Sequence, residues 1–269
     1  MTSYITFMTD FGTRDDSVGC CHGVMLGRAP DARIIDITHE IQAYDIRRGA
    51  LTWRNVLPYM PVGAHVAVVD PGVGTARRPI AARVGRGDVL VGPDNGLLPA
   101  GAGVLGGIVA AVELANESYM LSPRSNTFHG RDIFSPAAAA LVTGTGLEEL
   151  GPALDPTTLV TLALPEAHWE SDVLRCLVSY VDRFGNLRLN AGEDPLARWN
   201  LREGEGVRVE LGGHALTMPF ARSFGMVGGG DPALIVDSYR RLMVSINRDD
   251  AATTYGVGVD AQVALRRLA

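Results

Sequence analysis

Asp10 opens the run Asp10-Phe11-Gly12-Thr13, and Asp70 opens Asp70-Pro71-Gly72-Val73-Gly74. Each closes a β-rich stretch and leads into a glycine-containing turn. A carboxylate at such a strand end can accept paired hydrogen bonds from a ribose diol, and glycine lets the backbone approach a ligand. Aspartates at strand ends also cap helices and brace turns, which is the commoner role for one alone. Two such elements in one chain bring the ligand-binding reading level with the structural one. His129 is the third candidate, in Thr127-Phe128-His129-Gly130-Arg131-Asp132 ahead of an alanine-rich segment. Its imidazole can exchange a proton near neutral pH, and Gly130 beside it leaves room for a ligand.

Asp10, Asp15, Asp16 and Asp70 offer oxygen ligands for a divalent cation. Against a metal, Asp10-Phe11-Gly12 lacks the second aspartate of a D-x-D phosphatase nucleophile, and no two histidines show metal-ligand spacing. No metal is therefore expected. Gly101-Ala102-Gly103-Val104-Leu105-Gly106 fits a dinucleotide fingerprint by letter, but it follows a proline-bearing turn rather than a strand. It reads as a glycine-rich loop.

The elements that must hold these residues alternate between strand and helix in the first half. Tyr4–Met8, Arg33–Ile37 and Ala64–Val69 are β-rich, while Gly19–Arg28 and Asp45–Leu57 carry helical spacing. Such alternation predicts an α/β domain with a mainly parallel sheet and helices on its faces. Ile80–Val84 and Val89–Val91 read as a hairpin, Pro93-Asp94-Asn95-Gly96 as a turn, and Arg131–Thr143 as one helix with Pro136 near its start. Residues 152 to 170 are proline-bearing and without period, and they read as a crossover between domains. Short strands follow at Val173–Asp182, Leu187–Leu189, Val207–Leu211, Ala233–Val236, Leu242–Ile246 and Gln262–Arg266. These predict a smaller all-β, barrel-like C-terminal domain. The expected division is residues 1–160, a linker at 161–171, and residues 172–269.

Composition removes several function classes. All 24 basic residues are arginine, so neither Schiff-base lysine chemistry nor a P-loop lysine is available. A formal net charge of −6 argues against a nucleic-acid partner. Cys20, Cys21 and Cys176 form no C-x-x-C pair, and the adjacent two, in an apolar stretch, are expected to be buried thiols. The N-terminal residues carry no basic-then-apolar leader, and no apolar run approaches the ~20 residues of a membrane span. A cytoplasmic protein with no membrane partner is expected.

Four blocks in order resemble the S-adenosylmethionine hydroxide adenosyltransferases, which are related to the adenosyl fluorinating and chlorinating enzymes. They are F-M-T-D-F-G-T-x-D-D-S (7–17), V-V-D-P-G-V-G-T-x-R-R (68–78), G-P-D-N-G-L-L (92–98) and T-F-H-G-R-D-I-F-x-P-A-A (127–138). The resemblance runs from Thr6 to about Ala252 and implies hydrolysis of S-adenosylmethionine to adenosine and methionine. The Asp, Arg and His of the hydrolytic members fall on Asp70, Arg77 and His129. Halogenating members have Tyr where this chain has Asp70, and fluorinating ones have a halide-binding Ser where it has Gly130; both differences favour water.

Carried over in the same way, Asp10 would hold the ribose hydroxyls and Tyr44 would pack on the ligand. Asp15 and Ser17 would lie near the methionine end, with Phe128 and Gly130 beside the reacting centre. In the second domain Asp182, Phe184 and Asn186 would contact the adenosine region, with Phe224 and Ser238 completing the pocket. The loop 182–186 is one residue shorter than the halogenase version. The family segment Asn-Ser-x-Gly-Tyr-Leu stands here as Asp237-Ser238-Tyr239-Arg240-Arg241-Leu242, with Arg240 in the place of glycine. The resemblance further implies no cofactor and a homotrimer with active sites between subunits.

The implied chemistry suits these residue types. A sulfonium leaves as a neutral thioether and needs no general acid. Water, with a pKa of ~15.7, must instead be oriented and relieved of a proton as attack proceeds. Asp70 and His129 are the candidate acceptors, with Arg77 setting their charge states.

Overall fold

The computed structural model describes residues 3–268, which divide into two compact units with the boundary between Ala163 and Leu164. In the first unit β1 (Tyr4–Thr9) leads through α1 (Ser17–Arg28) to β2 (Arg33–Thr38), then through α2 (Ile46–Val56) to β3 (Ala64–Val68). The hairpin of β4 (Pro79–Val84) and β5 (Val89–Pro93) follows, then α3 (Leu97–Ala102) and β6 (Ile108–Glu113). A helical segment from Gly130 ends in α4 (Ser135–Val142), and β7 (Ala153–Leu154) comes last.

These strands form one sheet in the order β2-β1-β3-β5-β4-β6-β7. The first four run parallel, and β4, β6 and β7 add an antiparallel half. The parallel centre is buried on both faces, which is why β1 and β3 are apolar almost without a break. Their period of two divides the core. Ile5, Phe7, Val66 and Val68 share a cluster with Cys21 and Met25 of α1 and Ala137 and Ala138 of α4. Met8 and Ala67 face the other way, among Ala50 and Trp53 of α2 and Leu97 and Leu98 of α3.

The chain leaves β1 for β2 on one side and returns to β3 on the other, so the strand order reverses between β1 and β3. A crevice forms at such a switch point, outside the carboxyl ends of the two strands. Thr9 pairs with Val68, so Asp10 and Asp70 emerge side by side at its mouth.

At the opposite end of β3 a charged network is sealed in the sheet. His65 Nδ1 and Thr6 Oγ1 are 2.9 Å apart, His65 Nε2 and Asp88 Oδ1 are 2.8 Å apart, and Arg86 donates to both oxygens of Asp88. Burial alone would raise the Asp88 carboxyl, but the bonds from His65 and Arg86 outweigh it and hold it far below the usual range.

The second unit begins at β8 (His168–Glu170) and β9 (Val173–Val181), followed by β10 (Leu187–Gly192) and α5 (Asp194–Arg198). Strands β11 (Gly206–Leu211), β12 (His214–Ala221), β13 (Pro232–Val236) and β14 (Arg241–Ile246) come next, then α6 (Ala251–Tyr255) and β15 (Gln262–Arg267). The order β10-β14-β13-β12-β11-β15-β9 closes through β9–β10 pairing into a seven-stranded barrel, with β8 added beside β9. Alternating burial along β10 and β11 points Leu187, Leu189, Val207 and Val209 inward.

Three expectations change. The stretch expected as one helix from Arg131 to Thr143 is a π-turn, Gly130–Phe134, running into α4. The proline-bearing stretch 152–170 is not free of structure, because β7 and β8 lie in it and extend the two sheets. Cys20 is half-buried, while Cys21 is buried as expected and Cys176 is buried too.

Asp88→Ala should destabilise the protein by about 3–5 kcal/mol in denaturant titration, since it strands His65 and Arg86. Because the folded-state carboxyl is depressed, this contribution is complete above pH ~4, the unfolded value, and fades as pH falls below it.

Candidate active site

Arg77 is the centre of the site. Its Nε donates to Asp70 Oδ1 at 2.9 Å and Oδ2 at 3.0 Å, and its Nη2 donates to Asp70 Oδ2. The same Nη2 lies 3.0 Å from His129 Nδ1. Arginine is always a donor, so Nδ1 is the acceptor, and the neutral imidazole carries its proton on Nε2. The Asp70 and Arg77 side chains are only 6% and 10% exposed. Arg77 also keeps a buried Nη1 with no protein partner, and its guanidinium lies 5.3 Å from the centre of the Phe134 ring. Burial, and then the charge of Arg77, hold His129 below its ordinary value, with Asp70 opposing.

Local sequence explains how residues so far apart meet. Pro71 to Ala76 fold back on themselves: Val73 N–H donates to the Asp70 carbonyl at 3.2 Å and Thr75 N–H to that of Gly72 at 3.1 Å. This returns Arg77 to the end of β3. Gly74, at φ +76°, packs where a Cβ would sit 2.4 Å from the Asn126 carbonyl oxygen, so the loop before His129 can close on this turn.

The π-turn has a chemical cause. Pro136 has no N–H to offer the Asp132 carbonyl, which accepts instead from Leu121 N–H at 2.9 Å. Ser135 donates to the Gly130 carbonyl from its backbone N–H and from its hydroxyl at 2.8 Å. The widened turn carries Gly130 directly behind His129.

Two residues outside the expected set brace this arrangement. Asp132, fully buried, accepts from Arg131 Nε at 2.6 Å and from Ser125 N–H at 2.7 Å, so it ties the loop before His129 to the π-turn. Burial opposes its charge, but those bonds prevail and lower its carboxyl. Asn95, from the Pro93-Asp94-Asn95-Gly96 turn, donates to the Val69 carbonyl at 2.8 Å, next to Asp70. The acidic residue in H-G-R-D and the asparagine in P-D-N-G were visible in the sequence, but nothing there marked them as braces.

Asp10 stands across the crevice. Burial pushes its carboxyl above the ordinary range, the Tyr44 N–H bond at 2.9 Å opposes, and the charge of Asp70 raises it further. Tyr44 sits at φ +69° and is 72% exposed. Asp15 accepts from Ser17 N–H at 3.0 Å at the start of α1, which lowers its carboxyl. Phe128 packs edge-on against Phe11, with ring centres 5.7 Å apart. A Cβ on Gly130 would sit 2.9 Å from Phe11 Cζ, so the room expected for a ligand on the side-chain side of this glycine is taken by the Phe11 ring, and only its backbone can border the site.

In the second unit Asp182, Phe184 and Asn186 form the β9–β10 turn. Asp182 Oδ1 accepts from the N–H groups of Phe184 at 2.9 Å and Asn186 at 3.0 Å, while Oδ2 accepts from Asn186 Nδ2 at 2.8 Å. Phe184 is left 67% exposed and Phe224, after β12, 42% exposed. Ser238 lies on the β13–β14 turn, where Asp237 Oδ1 accepts from Tyr239 and Arg241 N–H, both at 2.9 Å. Arg240 takes φ +60°, the conformation glycine would have adopted, so the turn survives the replacement. Arg188, unmarked in the sequence, pairs with Asp237 and stacks on Tyr180 and Tyr239.

Comparison with known proteins places this geometry among relatives. Residues 5–151 match the family model described as SAM hydroxide adenosyltransferase N-terminal domain, and residues 176–264 match its C-terminal domain. A protein of Salinispora tropica named (R)-S-adenosyl-L-methionine hydrolase is 45% identical, over 95% of each chain. One of the same name from Thermus thermophilus is 39% identical, over 94% of this chain and 95% of its own. A fluorinase of Actinoplanes is 29% identical, over 94% of each. A crystal structure from Thermotoga maritima superposes with a TM-score of 0.92 at 32% identity, covering 98% of this chain and 100% of that one.

Two outcomes follow from the geometry. In an NMR titration His129 should protonate below the ordinary ~6.5, and Arg77→Met should move its midpoint upward by removing the adjacent charge. Gly130→Ser should displace the Phe11 ring and lower stability by about 1–3 kcal/mol in a thermal melt.

Proposed function

The chain belongs to the SAM hydroxide adenosyltransferase family, as an enzyme that splits S-adenosylmethionine with water to adenosine and methionine, and we propose that Asp70, Arg77 and His129 carry the reaction. The observation that carries this reading is the single Arg77 guanidinium donating to both the Asp70 carboxylate and His129 Nδ1. With its Nδ1 lone pair engaged by Arg77, His129 is not the proton acceptor that the sequence offered beside Asp70; it presents Nε2–H to the oxygen of a water, while Asp70 retains lone pairs for one of that water's protons. The water is then held with an oxygen lone pair free for C5′.

In the step itself the C5′–O bond forms as the C5′–S bond breaks, and the bonding pair leaves on sulfur as neutral methionine. The attacking oxygen becomes a protonated alcohol, far more acidic than water, so a carboxylate suffices to take its proton. Holding water, C5′ and sulfur in line accounts for the remaining acceleration. No cofactor enters the step.

Around that centre, Asp10 holds the ribose hydroxyls, Tyr44 packs on the ligand, and Phe128 and Gly130 flank the reacting carbon. Asp15 and Ser17 lie at the methionine end. The turn braced by Asp182 offers Phe184 and Asn186 to the adenosine region, with Phe224 and Ser238 completing the pocket. The family resemblance is what supports a homotrimer in which the first unit of one subunit and the second unit of its neighbour build each site, and the exposed rings of Tyr44, Phe184 and Phe224 are surface such an assembly would cover. Three unpaired cysteines support a cytoplasmic setting. Among the described residues no helix is long and apolar enough to cross a membrane.

Asp70→Asn and His129→Ala should each lower turnover by about 10²–10⁴ while ligand binding persists. Chromatography of adenosine released from each sulfonium epimer of S-adenosylmethionine, with and without chloride, measures this. Near wild-type release by either variant would remove that residue from the mechanism, and 5′-chloro-5′-deoxyadenosine in the chloride arm would overturn the choice of water. Sedimentation at working concentration reads the trimer.

A further inference from the structure

We propose that His22, Asp36 and His39 form a binding site for one divalent cation of the Zn²⁺ class, separate from the Asp70–Arg77–His129 centre. His22 lies on α1, Asp36 in β2 and His39 just past the end of β2, and a nitrogen from each histidine and a carboxylate oxygen all lie within 4.8 Å of one another. His22 Nε2 is 2.9 Å and His39 Nε2 is 3.1 Å from Asp36 Oδ1. Tetrahedral ligands bonded to Zn²⁺ at ~2.0–2.1 Å stand ~3.3 Å apart, so the two nitrogen–oxygen separations need open by only a few tenths of an ångström, and the third pair already lies within 4.8 Å. Two imidazoles and one carboxylate are the donor set that borderline cations prefer over Mg²⁺ or Ca²⁺.

The second observation is the state of His39. Its side chain is only 4% exposed, and its Nε2 is buried without a hydrogen-bond partner although it is turned toward Asp36. The other ring nitrogen, Nδ1, is 2.9 Å from Thr9 Oγ1, which also accepts from Phe11 N–H at 3.1 Å. With Nδ1–H donating to that hydroxyl, Nε2 presents a lone pair to the cluster. Such a bond on the far nitrogen is the support that metal-binding histidines normally have. The Phe7 ring packs edge-on against His39, with centres 4.9 Å apart, and fixes its plane.

The outer side of the cluster is accessible, with the Asp36 side chain 42% and the His22 side chain 29% exposed. A cation can therefore enter and keep water in its fourth position. Bound there, it would tie α1 to the end of β2. It would also stiffen the segment from Thr9 to Gly12, because Gly12 N–H donates to the His39 carbonyl at 2.7 Å. Asp10 lies within that segment.

The test uses full-length protein dialysed against a chelator and then titrated calorimetrically with Zn²⁺, with Co²⁺ as an optical probe. One Zn²⁺ per chain should bind, and Co²⁺ should give visible d–d absorption. His22→Ala and Asp36→Asn should each weaken Zn²⁺ binding at least about tenfold and abolish the Co²⁺ bands. His168→Ala, which alters the exposed His168–Glu170 pair of the second unit, should leave both unchanged. Circular dichroism of the metal-free variants separates lost ligation from lost fold; both substitutions are at least partly exposed. Absence of saturable binding up to millimolar Zn²⁺, or affinity that survives both substitutions, would overturn the site.

Discussion

A guanidinium cannot give up its proton at any pH a protein survives, and in this molecule that fixed charge is lodged between a strand-end carboxylate and an imidazole. Both neighbours must accept from Arg77. Asp70 is thereby locked in orientation by two nitrogens, and His129 is obliged to turn its Nδ1 lone pair inward and its Nε2–H outward. Desolvation and the same positive charge hold the imidazole below its ordinary value, which favours its neutral form. One buried side chain thus sets the tautomer and aim of His129 and the orientation of Asp70, and the surrounding backbone is arranged to put it there.

That arrangement depends on close approach more than on strong bonds. The turn after β3 must touch the loop before His129, and at Gly74 the gap to the Asn126 carbonyl is too small for any side chain. The turn holding His129 must open by one residue, and Pro136 provides this by withdrawing a hydrogen-bond donor. Asp132 then closes the loop onto the opened turn through Arg131 and Ser125. The barrel unit uses a comparable device at Asp237, whose carboxylate holds a turn through two backbone N–H groups. Those bonds accompany a left-handed Arg240, a conformation that costs about 1–2 kcal/mol in a residue with a Cβ.

The parts of the fold that were legible in the sequence are those where one local rule dominates. β1 and β3 are buried on both faces, so their apolar runs stand out, and the hairpin of β4 and β5 is marked by its turn. β12 left no such mark, because it follows two glycines, alternates weakly and contains Pro219. The π-turn was unreadable because apolar spacing at the helical period does not reveal whether an N–H reaches back four residues or five. Cys20 was expected buried with Cys21, but neighbours on a helix point about 100° apart, and only Cys21 faces the sheet.

Asp70, Arg77 and His129 carry their chemistry in their side chains, and the sequence determined that much: a carboxylate after a strand, an arginine seven residues on, and a histidine beside a glycine. It also determined, through apolar periodicity, that an α/β unit would precede a β unit. Only the tertiary structure decided that the strand order reverses between β1 and β3, because sheet order depends on which faces the crossing helices cover. That reversal brings Asp10 to Asp70. Only the tertiary structure joined His129 to a guanidinium 52 residues earlier, and His22 to Asp36 and His39 across α1 and β2. No spacing along a chain encodes such contacts, since the distance that matters is set by packing across the sheet.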